Sequence, residues 1–150
     1  MIIKVVNVSQ EIKFLFYLAQ TCECLNEYEE SFYYSKLRIE LKGFEEEVFH
    51  SYMRCGNNSI TLGHDWSDTM KWYIQAYEQF QRVEPLVKIA DHYRIVASMK
   101  NKDKQPVNNL WNIAYTFIRQ ACELPYPDNV ILFVDKGAYD YYRWHLMGVI

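Results

Sequence analysis

The residues of this 150-residue chain best suited to acid–base, metal or nucleophilic chemistry are four histidines, at 50, 64, 92 and 145, and four cysteines, at 22, 24, 55 and 122. None of the histidines is paired with a second ligand at i+4 on its own helix, the spacing that sets two donors on one face. Cys22 and Cys24 stand two apart, so on a helix they point to different faces and cannot chelate one ion together. His64-Asp65 beside Ser67 has the residue types of a hydrolytic triad, but sequence neighbours on a short loop seldom reach triad geometry. The carboxylate clusters Glu27, Glu29, Glu30 and Glu45-Glu46-Glu47 each open a helix, where the dipole favours negative charge, and they read as solvated first turns. With five glycines and no glycine-rich turn between strand and helix, the chain offers no phosphate cradle. The sequence therefore predicts no catalytic residue, no cofactor and no metal site.

The thirteen tyrosines raise a different chemistry, the stacking of aromatic faces on sugars. Tyr73, Tyr77 and Tyr93 lie on inward helical stripes and belong to the core. Tyr139, Tyr141, Tyr142 and Trp144 crowd the end of the chain instead. Here Tyr139, Tyr142, Leu146, Met147 and Ile150 follow an amphipathic pattern on a helix over about 138–150 that has no sequential partner. Together with Trp144 they form the expected interaction surface, for a protein partner or for self-association.

Charge and composition narrow the classes further. Sixteen Lys and Arg against nineteen Asp and Glu give a net charge of −3, too small and of the wrong sign for nucleic-acid binding. No apolar run reaches membrane-spanning length, and the opening Met1 to Asn7, with Lys4 among branched residues, is expected to be too short for a signal-peptide apolar region. Cysteines without a Cys-x-x-Cys pair fit free thiols packed as small apolar residues in a reducing, cytoplasmic setting. The sequons at Asn7 and Asn57 are expected to be chance.

Helical periodicity runs through nearly the whole chain. Leu86, Ile89, Ala90, Tyr93, Val96 and Ala97 draw one apolar stripe on a helix opened by Pro85. Leu15, Leu18, Ala19 and Cys22 repeat its spacing on a first helix capped by Ser9 or Asn7, with a turn at Asn26. A second helix, from Tyr28 to about Leu41, is stopped by Gly43. A third carries Phe49, Tyr52 and Met53 and is expected to end at Gly56, before a polar loop to His64. Asp65 then caps a fourth, with Met70, Tyr73, Ile74 and Tyr77 inward. An enlarged turn over 100–106 leads to a helix from Asn108 or Asn109 to Cys122, bearing Leu110, Ala114, Phe117, Ile118 and Ala121 and closed by Pro125 and Pro127. Val130 to Val134 could be a strand but has no partner strand, so it reads as an extended connector.

The spacing of Leu86, Ile89, Ala90 and Tyr93 resembles the first helix of a tetratricopeptide repeat, in which a small residue admits a neighbouring helix. Phe49, Tyr52 and Met53 each fall 34 residues after Leu15, Leu18 and Ala19, the period of that repeat. The expected fold is all-α, a tetratricopeptide-like α-solenoid of about seven helices. Its hairpins are expected at about 9–42, 44–80 and 84–123, with a terminal helix at about 138–150 as an incomplete repeat.

Three stretches carry a narrower resemblance. They are Trp72-Tyr73-Ile74-Gln75-Ala76-Tyr77-Glu78, then Arg82-Val83-Glu84-Pro85-Leu86 with Ile89, Ala90, Tyr93 and Arg94, and then Leu124-Pro125-Tyr126-Pro127 with Leu132-Phe133-Val134, Tyr139-Asp140-Tyr141 and Arg143-Trp144. Together they resemble the helical-repeat region that follows the catalytic domain in a group of family-2-type glycosyltransferases, including viral members with large DNA genomes. Those enzymes have an α/β domain with an Asp-x-Asp metal site, and neither is present in this sequence. The resemblance implies a non-catalytic scaffold associated with a glycosyltransferase. Its alternative is the repeat part of such a transferase, with the catalytic domain outside this chain.

Overall fold

A computed structural model describes residues 2–150, and their side chains from residue 10 onward. The chain is all-helical, with seven helices and no strand among the described residues. It divides into two compact units, one through Phe80 and one from Gln81.

The first unit holds α1 (Ile2–Cys24), α2 (Tyr28–Glu40), α3 (Glu45–Thr61) and α4 (Trp66–Gln79), each packed on the next. Asn26 turns the chain after α1 with φ 62°, a left-handed conformation that asparagine tolerates. The turn is closed by bonds from the Glu27 N–H to the Cys22 carbonyl at 2.8 Å and from the Asn26 N–H to the Glu23 carbonyl at 3.0 Å. Because α1 starts at Ile2, Asn7 and Ser9 lie within it and neither caps it.

Gly56 does not end α3. The helix continues to Thr61, and Gly63, at φ 74°, makes the turn. Gly56 is buried because the Tyr73 ring of α4 lies directly against it, and a Cβ there would sit 2.5 Å from a ring carbon. The glycine thus permits a close helix approach and does not act as a stop.

Ala19, Phe49, Cys55, Tyr73 and Ala76 form the fully or almost fully buried apolar core of this unit. Polar contacts run through it as well. The Ser31 hydroxyl of α2 donates to the Ala19 carbonyl at 2.8 Å, and the Asn58 amide of α3 donates to Ser31 Oγ at 2.9 Å. The reading of Glu45-Glu46-Glu47 as a solvated turn is corrected for two of its members. Glu46 and Glu47 are buried, and Glu47 pairs with the fully buried Arg38 of α2, Nη2 to Oε2 at 2.8 Å. Removing the carboxylate from water is costly, and the guanidinium offsets that cost.

The second unit holds α5 (Val83–Lys102), α6 (Asn108–Glu123), and a π-helical turn (Ala138–Tyr142) that continues into α7 (Arg143–Val149). Along α5, Val83, Leu86, Ile89, Ala90 and Ala97 are buried, as the stripe requires, against α6 residues Ala114, Ile118 and Ala121. Pro85 is the third residue of α5, still in the first turn, where its missing N–H breaks no helical bond. Helix α5 runs on to Lys102, so the turn expected over 100–106 shrinks to Asp103–Val107. Helix α6 starts at Asn108, as expected, with Val107 in its N-cap position. The segment 124–135 has no regular structure, as expected of a connector. Its residues Val130, Leu132 and Val134 are half-buried, while Ile131 and Phe133 point out.

Candidate interaction surface

The end of the second unit is built around a buried ion pair. Arg82, fully buried just before α5, holds Glu84 with its Nη2 on Oε1 and its Nε on Oε2 at 3.2 Å. Arg82 Nη2 also donates to the Phe133 carbonyl at 3.1 Å, and the Asp135 N–H donates to Glu84 Oε1 at 3.3 Å. In an extended chain, residues two apart turn their polar groups to the same side. The pair therefore grips one edge of the connector. Along this stretch the side chains of Ile131 and Phe133 are left 82% and 74% exposed.

The π-helical turn and the first residue of α7 then deliver three side chains to three places. The Val83 N–H at the start of α5 donates to the Tyr139 hydroxyl oxygen at 3.2 Å, satisfying a backbone donor that has no partner within its helix. Burial pushes the Tyr139 phenol up to about 12, with Glu84 adding to the effect and the Val83 N–H and Arg82 opposing it. The Tyr142 hydroxyl donates to Asp91 Oδ2 at 3.1 Å on α5, and burial and then the Asp91 charge raise its pKa. Arg143 donates to the carbonyls of Ala121 at 3.0 Å and Leu124 at 2.6 Å, closing the C-terminal end of α6, where a cation is favoured. The same guanidinium lies 5.4 Å from the Tyr139 ring centroid and 4.8 Å from that of Trp144.

This geometry corrects part of the expected surface. Tyr139 and Leu146 are buried, at 1% exposure each, because α7 packs back on α5 and α6 of its own unit. The terminal helix is therefore not left without a partner. Tyr142, Met147 and Ile150 are half-buried, and Trp144 remains 51% exposed, with Tyr141 also exposed beside it in sequence. Sequence reasoning missed Ile131 and Phe133. Every residue from Val130 to Val134 is apolar, so the sequence held no signal for which of them face water.

The groups weighed for chemistry take structural places. The Cys55 thiol is pushed up to about 12 by burial, against the opposing charges of Lys36 and Arg54, and is not a nucleophile at neutral pH. Burial lowers the pKa of His92 against the opposing charge of Asp91. His64 Nδ1 lies 3.3 Å from Ser59 Oγ, with its ring edge-on to Phe32. Among the described residues no three His, Cys, Asp or Glu side chains are grouped to hold a metal ion, and no helix is long and apolar enough to cross a membrane.

Fold and surface together define a helical protein with an exposed apolar strip on a connector held by Arg82 and Glu84. No protein-family model matches the chain, and no curated protein or solved structure is significantly similar to it.

Proposed function

We propose that the chain is a non-catalytic interaction module of tetratricopeptide-like hairpins, intracellular, which binds a protein partner and is associated with a glycosyltransferase. The observation that carries the interaction reading is the exposure of Ile131, Phe133 and Trp144 on segments tied down by part-buried side-chain to backbone hydrogen bonds. Large apolar side chains held outward on a fixed backbone lose little further entropy on binding. The glycosyltransferase association rests on the sequence stretches that resemble that repeat region. The same stretches support the alternative, in which the hairpins belong to a transferase with its α/β domain elsewhere.

A photo-crosslinking residue placed at Phe133 or Trp144 in cells tests the proposal, with the exposed Lys71 as control position. Discrete adducts from the first two sites and none from the control are expected. Equal, diffuse labelling from all three would sink the interaction reading. The purified chain should also show no turnover of a nucleotide-sugar donor with added manganese or magnesium. Activity that survives size exclusion would overturn the non-catalytic part.

A further inference from the structure

The two ends of the second unit are opposite in charge, and each carries exposed apolar residues. At the start of α5, the Arg82–Glu84 pair holds the connector that displays Ile131 and Phe133. The charged residues of 124–142 are Asp128, Asp135 and Asp140 against Lys136 alone, all four exposed. At the other end of α5, Ile95 and Met99 stand four apart on one face and are 42% and 62% exposed. They lead directly into Lys100, Lys102, Asp103 and Lys104, again all exposed. Ile95 and Met99 lie well along α5 from its start at Val83, so about 18–24 Å of helix separates them from the strip's anchors.

We propose that a second copy of this chain is the occupant of the Ile131–Phe133 strip. It docks by its Ile95–Met99 face and the lysine turn that follows, in a head-to-tail contact. Charge complementarity selects this occupant. The strip's rim is net negative even with Lys136 paired to Asp140 at 3.9 Å, so it repels another copy of itself and attracts an apolar face flanked by lysines, which steers encounter and fixes orientation. The Arg82–Glu84 clamp gives the strip one fixed shape to be recognised. A contact between two different surfaces does not close on itself unless its rotation happens to complete a ring, so assemblies should grow beyond the dimer. The proposal goes beyond the interaction-module reading by naming the partner as a second copy.

Sedimentation of the full chain tests it, using charge reversal at exposed positions that leave the fold intact. At low salt the weight-average mass should rise with concentration without a plateau at the dimer, and high salt should lower it. The triple substitution Lys100→Glu, Lys102→Glu, Lys104→Glu should weaken association at least about tenfold, and so should Asp128→Lys with Asp140→Lys. An equimolar mixture of the two variants should associate again, because the reversed turn of one meets the reversed strip of the other. A monomer at all concentrations, a plateau at the dimer, or association indifferent to the lysine reversals would each overturn the proposal. In each of those cases adducts from Phe133 to a different protein would still uphold the interaction module.

Discussion

Replacing Glu84 by Ala tests whether the buried ion pair fixes the connector. The substitution removes both carboxylate oxygens that hold the Arg82 guanidinium and the acceptor of the Asp135 N–H. Arg82 has no exposed surface, so its charge stays buried without its carboxylate. Breaking a buried pair from one side costs about 3–5 kcal/mol, far more than the net worth of the intact pair. Asp135 is exposed, and water replaces the acceptor lost by its N–H, so that bond adds little. The loss should appear as faster hydrogen exchange at the amides of Phe133 to Tyr139, together with a lower denaturant midpoint of the second unit. Replacing both members, Arg82→Met with Glu84→Leu, should recover most of the stability, because no charge then remains buried. If Glu84→Ala cost less than about 1 kcal/mol, or left exchange over the connector unchanged, the clamp argument would be wrong.

Gly56→Ala should destabilise the first unit although alanine is the better helix former. The propensity gain of about 1 kcal/mol is outweighed by overpacking of about 1–3 kcal/mol, since the new methyl lands 2.5 Å from a carbon of the fully buried Tyr73 ring. A raised urea midpoint would show that the ring moves freely. Stability should also fall in strong alkali. Tyr139 has its pKa raised to about 12 from an ordinary value of 10.0, so the unfolded chain loses its proton first. The contribution is intact below pH 10 and is lost as the pH climbs toward 12. Tyr73 shifts in the same direction through burial alone. The titration of phenolate absorbance should show these two ionising only with unfolding. Reversible ionisation at the ordinary tyrosine value with the helices intact would contradict their burial.

The locations of the helices were legible because the signals that set them are local. The stripe from Leu86 to Ala97 lies within one helix, and the turn residues Asn26 and Gly43 adopt the left-handed conformations that their side chains permit. The hairpin-forming faces follow from the same period, as the burial of Ala19, Phe49, Ile89, Ala90 and Ala114 shows. Where sequence reasoning failed, the deciding contact came from another helix. Gly56 has the residue type of a helix stop but serves the close approach of the Tyr73 ring, and Glu47 has the position of a solvated first turn but is covered by Arg38.

The candidate surface depended most on such distant contacts. Local periodicity makes the chain helical and 130–134 a connector, and composition gathers aromatic residues over 139–144. Which of them face water follows from contacts far apart in the chain. Arg82 reaches a carbonyl 51 residues away, and Val83 meets a hydroxyl 56 residues away. Those bonds turn Tyr139 inward and leave Phe133 outside. Amphipathic spacing separates the two faces of a segment, but which face is covered depends on how the rest of the chain returns to it.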